Sequence, residues 1–196
     1  MKATRYIIWR RLDEPGADLC RIVRSGDAWH LTASATGFHA GAPMQIDYHV
    51  ACDSDWVTRT VRLLGWADGS RVDLIIQRND EGGWTCNAKP VPAVMGVSDI
   101  DLGFTPATNT IAVRRNCLAP GTSVETTAAW LDEADWNLKP LRQIYRRVTN
   151  DRFEYASPAN GFTATLLLDD AGLVRDYPGL WTAIDRQGEL AGGTSG

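Results

Sequence analysis

Turn-forming residues punctuate this chain so often that long helices have little room to form. Pro15-Gly16, Ser25-Gly26, Gly41-Ala42-Pro43, Asp68-Gly69 and Asp80-Glu81-Gly82-Gly83 break up the first half. Asn150-Asp151, Asn160-Gly161 and Asp170-Ala171-Gly172 do the same in the second. Asp-Gly and Asn-Gly steps supply the positive φ angles that tight hairpins need. The segments between them are mostly seven to twelve residues long and rich in β-branched and aromatic side chains, so they read as strands.

Alternation agrees with that reading. Met44, Ile46, Tyr48, Val50 and Cys52 fall on one face of a strand, with Gln45, Asp47, His49 and Asp53 on the other. Val72, Leu74 and Ile76 alternate with Arg71, Asp73 and Gln77, and Phe162, Ala164, Leu166 and Leu168 with Thr163, Thr165 and Asp169. These are half-buried antiparallel strands, and their succession predicts hairpins and meanders without βαβ crossovers. So many strands must curl or close to manage their edges.

One helix is expected. Thr105 before Pro106 is a start signal, a hydroxyl cap followed by proline at the first helical position, and Arg114 and Arg115 would complement the dipole at its end. The predicted helix is Pro106–Arg115. A second candidate, Thr126–Trp136, holds Ala128, Ala129, Leu131, Glu133 and Ala134, yet Val124, Thr126, Ala128 and Trp130 alternate equally well as a strand. Residues 1–190 are expected to form a single domain. The small, polar residues 191–196 are expected to form an unstructured tail.

The 196 residues carry a net charge of −4 and contain no run of five like charges, which argues against nucleic-acid binding and a polybasic membrane anchor. No stretch approaches the roughly 20 apolar residues of a spanning helix, and no signal-peptide core is visible, so a cytoplasmic location is expected. Cys20, Cys52, Cys86 and Cys117 lie more than thirty residues apart, with no CxxC or zinc spacing, and read as reduced core residues. No GxSxG, HExxH, P-loop or GxGxxG is present. Nothing calls for a cofactor, and no enzyme is expected.

Polar specificity is concentrated in Asp99–Arg115. Asp99 and Asp101 are two apart and share one side of a strand, about 7 Å apart at the backbone. They could serve a metal or an acid/base pair, or form salt bridges with Arg114, Arg115 or another arginine. Arg59 shares its side of a strand with Val57, Val61 and Leu63, and Arg146 shares its side with Ile144 and Val148. Inward arginines need carboxylate partners, with Asp99, Asp101 or Asp169 available, or else could clamp an anionic or hydroxylated ligand. Of the eight tryptophans, Trp66 and Trp136 lie beside turns and are the better placed for exposed contact.

The chain resembles a family of bacterial proteins named "Putative glycolipid-binding". The resemblance is carried by Asp99-Ile100-Asp101-Leu102-Gly103, Thr105-Pro106-x-Thr108-Asn109-Thr110-Ile111 and Arg114-Arg115. It continues through Gln143-x-Tyr145, Tyr155, Phe162, Asp169-x-x-Gly172-Leu173-Val174 and Tyr177-Pro178, with Tyr48, Asp55-Trp56 and Thr58-Arg59 upstream. Ala112 departs from the proline common in that family. The resemblance implies a mainly β fold, a many-stranded antiparallel sheet rolled around a single central α-helix (a spiral β-roll), and a homodimer.

Together these readings lead to a non-catalytic protein that binds an amphiphilic ligand, with a glycolipid as the class the resemblance implies. Arg59, Arg114, Arg115 and Arg146 would hold a head group with Asp99, Asp101 and Asn109, while Trp66, Tyr145 and Trp181 cover sugar or acyl carbons. The alternative is a structural or interaction homodimer without a small-molecule ligand, its Asp/Arg cluster a buried salt-bridge network.

Overall fold

The computed structural model describes residues 4–39 and 41–184; the expected tail lies outside them. The fold is mainly β. Eight strands run in sequence order as an antiparallel meander: β1 (Thr4–Arg11), β2 (Gly16–Ser25), β3 (Ala28–His39), β4 (Ala42–Cys52), β5 (Thr58–Ala67), β6 (Ser70–Arg78), β7 (Trp84–Cys86) and β8 (Lys89–Pro90). Then come β9 (Asp99–Leu102), helix α1 (Asn109–Asn116), β10 (Ser123–Asp132), β11 (Asn137–Arg147), β12 (Arg152–Ser157), β13 (Phe162–Leu168), β14 (Val174–Tyr177) and β15 (Trp181–Ala183). Pairing of β1 with β15 joins both runs into one fifteen-stranded sheet with β8 and β9 at its ends.

The two ends of the strand order approach each other in space. The Thr58 N–H donates to the Ser98 carbonyl at 3.0 Å, and the Thr58 hydroxyl accepts the Ile100 N–H at 3.2 Å, tying β5 to the entry of β9. Trp84 Nε1 and Arg78 Nε both donate to the Val97 carbonyl, and the 3-10 turn Pro92–Val94 packs against β11. Inside this roll Asn109–Val113 are buried, with Ile111 fully so. Burial by the sheet stabilises an eight-residue helix carrying four β-branched residues in and beside it, which would not persist alone.

The structure corrects the helical expectations. Regular helix starts at Asn109, not Pro106, because Asn109, Thr110 and Ile111 donate to carbonyls three residues back. The Thr105 hydroxyl still caps this entry by accepting the Ala107 N–H at 3.0 Å. At the other end Cys117 takes a left-handed conformation and returns its N–H to the Val113 carbonyl. Thr126–Trp136 is not a helix: its first part is β10, where Ala128 and Ala129 pair with both β9 and β11. One crossover does occur, since β9 and β10 are parallel neighbours joined by α1. Parallel strands need such a connection, and α1 supplies it.

Alternation holds elsewhere. Met44, Ile46, Tyr48, Val50 and Cys52 are all buried on the inner face of β4. Gly65 on β5 is required by closeness: a Cβ there would lie 2.0 Å from the Gln45 carbonyl oxygen on β4.

Candidate functional site

The sequence candidates scatter over the molecule. Asp99 is buried and bound by Arg115 through two parallel hydrogen bonds, Nε to Oδ1 at 2.5 Å and an Nη to Oδ2 at 2.8 Å; the same Nη reaches Thr126 Oγ1 at 3.1 Å. Burial raises the Asp99 carboxyl above its ordinary range, with the arginine pulling against it. This pair pins the last turn of α1 to β9 and leaves little of either group for a ligand.

Arg59 does not point inward. A bulge shifts the β4–β5 register at Ala51/Cys52, so Thr58 takes the buried position and Arg59 turns to the surface, paired with Asp53 and Asp80. Arg146 also faces outward, because Gln143 and Tyr145 occupy the inner face of β11; its partner is Glu154 at 3.0 Å. Neither arginine uses the carboxylates expected for it. Trp66 is exposed on the outer face of β5, while Trp136 packs on buried Phe104 and is no exposed contact. Arg114 lies over the Trp56 ring at 5.8 Å, in a 300 Å³ cleft at the C-terminal end of α1 that also holds Arg147 and Asp169.

What the roll brings together is a different set. A cleft of about 210 Å³ opens at the N-terminal end of α1. Asp101 from β9, Asn109 from α1, and Trp130 and Glu133 from β10 and its turn line one side. Tyr155, Ser157, Phe162, Tyr177 and Trp181 from β12–β15 line the other. Asp101, Asn109 and Trp181 were expected; Tyr145 stands behind them, its hydroxyl accepting Asn109 Nδ2 at 2.9 Å.

Asp101 Oδ2 accepts Gln143 Nε2 at 2.5 Å, and that amide also donates to Tyr155 OH at 3.1 Å. Burial pushes the Asp101 carboxyl up to about 6, only partly offset by the Gln143 and Thr108 hydrogen bonds. Burial likewise lifts Glu133 to about 7, with Arg11 opposing and Asp101 adding to the rise. Tyr155 is the hub of an aromatic cluster, its centroid 5.0 Å from Tyr145 and 6.1 Å from both Phe162 and Tyr177. Gly103 leaves the space that lets Trp130 and Glu133 close in: a Cβ there would sit 2.8 Å from Trp130 Nε1 and 2.9 Å from Glu133 Oε2.

Behind the cleft lies a group that sequence reasoning missed. Asp18 on β2 is fully buried, and its Oδ2 accepts Tyr48 OH at 2.6 Å and Thr105 Oγ1 at 2.5 Å. Burial drives its carboxyl up to about 6. It fixes the threonine that caps the entry to α1. The available signal was its place in the inward row Asp18, Cys20 and Ile22. His30 and His49 meet at 3.0 Å, but no group of three or more metal-ligating side chains exists among the described residues. Among those residues no helix is long and apolar enough to cross a membrane.

A crystal structure of a DUF1089 family protein from Pseudomonas aeruginosa superposes with a TM-score of 0.73 and 29% identity, covering 84% of this chain and 91% of that one. No curated protein matches the chain. The family model described as "Putative glycolipid-binding" matches residues 6–183, nearly the whole described fold. The chain therefore belongs to that family.

Proposed function

We propose that this is a non-catalytic binding protein for an amphiphilic ligand of the glycolipid class, with the head group seated in the cleft at the N-terminal end of α1. The observation that carries this reading is the cleft's composition. Trp130, Phe162, Tyr177 and Trp181 offer apolar ring surface beside Asp101, Asn109, Glu133 and Ser157, the mixture a polar group on a carbon frame requires. Membership in a family named for glycolipid binding supports the same class. Incubation with a total lipid extract is expected to yield a defined bound species by native mass spectrometry. A ligand-free spectrum across lipid classes would count against the proposal.

The alternative, a protein whose polar cluster is only structural, accounts well for Asp99 and Arg115. It leaves the cleft itself unexplained, since Asp101 and Glu133 face open space beside the aromatic rings of Trp130, Phe162 and Trp181. The proposed protein is also a homodimer. Tyr6, Ile8, Leu19, Leu64 and Ile75 are exposed on the outer face of β1–β6 around a 500 Å³ groove, more apolar surface than a solvated sheet face needs. In that face Asp73 pairs with Arg62 within the chain at 2.6 Å, while Asp47 and Arg21 lie one row apart and are placed to match charges with a copy related by a two-fold axis. Sedimentation velocity should show a dimer that Leu64→Lys converts to monomer. A wild-type monomer at tens of micromolar would exclude it.

A further inference from the structure

We infer that the head group taken by the α1 cleft is a neutral, hydroxyl-rich ring of monosaccharide size, and that anionic head groups are excluded. The inference rests on the binding reading above and sharpens it through charge, size and ring chemistry.

Charge is decisive. Every arginine that the sequence offered as an anion clamp lies elsewhere: Arg59 with Asp53 and Asp80, Arg146 with Glu154, Arg115 with Asp99, and Arg114 at the opposite end of the helix. Among the described residues no arginine or lysine lines the cleft, while two carboxyl groups, Asp101 and Glu133, do. Behind the wall, Arg11 stacks over Trp181 at 5.7 Å and directs Nε and one Nη at Asp13 and the other Nη at the Phe38 carbonyl. A phosphate or sulfate in this space would meet like charge and find, among the described residues, no arginine or lysine on the cleft wall to repay its dehydration.

The same groups suit hydroxyls. Asp101 keeps acceptor capacity beyond the Gln143 bond, and the Asn109 and Ser157 side chains add amide and hydroxyl sites. Because burial places Asp101 near 6 and Glu133 near 7, each can accept from or donate to a hydroxyl close to neutral pH. Aromatic rings of Trp130, Phe162, Tyr177 and Trp181 provide surface for the C–H faces of a sugar ring. At about 210 Å³ the cleft has room for one such ring. A lipid tail would leave the cleft past Leu180, a partly exposed lining residue.

Calorimetric titration of the full chain, below critical micelle concentrations, tests this with octyl β-glucoside, octyl β-galactoside, octyl phosphate and the two methyl glycosides. At least one octyl glycoside should bind tenfold or more tightly than octyl phosphate. A methyl glycoside matching its octyl counterpart would make free sugar the source, and a weaker one would make the lipid the source; either supports the inference. Asp101→Asn and Glu133→Gln, each with an unchanged near-ultraviolet circular dichroism spectrum, should narrow the preference over phosphate at least fivefold. Octyl phosphate binding as tightly as both octyl glycosides overturns the head-group inference while leaving amphiphile binding intact. Binding of none of the probes, together with a ligand-free native spectrum, overturns both.

Discussion

Arg115 grips Asp99 with two parallel hydrogen bonds, joining the last turn of α1 to the edge strand β9 across sixteen residues of chain. The pair spans the crossover that makes β9 and β10 parallel, so it fixes where the helix lies inside the roll. Because Asp99 is only 1% exposed, losing its partner would strand a carboxylate away from water. Arg115→Met is therefore expected to cost about 3–5 kcal/mol, and the double variant with Asp99→Asn should recover part of that loss. Urea unfolding of the four proteins measures the coupling. Additive single-variant effects would show that the pair carries no such role.

Stability should fall as pH rises through neutrality. Asp18 and Asp101 are raised to about 6 and Glu133 to about 7, so between pH 4 and 7 the folded protein holds protons that the unfolded chain has released. The unfolded state then binds fewer protons, and unfolding free energy decreases with pH. Asp13, Asp73 and Asp132, lowered by Arg11, Arg71 and Lys139 respectively, act oppositely and lose their contribution in acid. A stability maximum near pH 5 is expected, with the urea midpoint lower at pH 8. Asp18→Asn should flatten the slope between pH 5 and 8; an unchanged slope would remove Asp18 from this account.

Gly65→Ala should be among the most damaging small substitutions in the chain. The added methyl would lie 2.0 Å from the Gln45 carbonyl oxygen, a backbone atom of the paired strand that cannot swing aside. A loss of roughly 3 kcal/mol or more is expected, in the range of overpacked cores and broken ladder bonds. Thermal unfolding of the purified variant checks it, and a melting temperature within two degrees of wild type would contradict the β4–β5 register.

Tyr145→Phe removes the acceptor for Asn109 Nδ2 and leaves that amide buried with one bond fewer. The expected cost is about 1–2 kcal/mol of stability, together with weaker glycoside binding because Asn109 is no longer oriented. Calorimetry on the variant would show whether both change. Full binding at reduced stability would confine the pair to folding.

Asp101 and Glu133 share a cleft, an arrangement that in other settings hydrolyses glycosides. The non-catalytic reading expects no release of nitrophenol from nitrophenyl glucosides or galactosides over days at pH 5–8. Release that Glu133→Gln abolishes would make the protein an enzyme.

The strands were legible because period-two burial is local: Met44 through Cys52 announce their own inner face. The entry to α1 was legible from Thr105-Pro106, since cap and proline act on adjacent residues. Arg59 was misread because its direction depends on a bulge, which exists only relative to the partner strand β4. The Ala128–Ala129 region suited a helix by propensity, but pairing on both sides decided for strand, where small buried side chains fit beneath the roll. The cleft was legible only in fragments. Asp101 and Trp181 stood out as residue types, yet Glu133 sits in a turn of acidic residues that reads as surface. Asp18 meets Thr105 from 87 residues away.

The most direct test is a crystal structure grown with whichever octyl glycoside binds more tightly. The sugar ring should lie between Trp130 and Trp181 with a hydroxyl on Asp101, its octyl chain leaving past Leu180. An empty cleft at saturating ligand, or a glycoside ordered only in the groove on the outer face of β1–β6, would contradict the central claim.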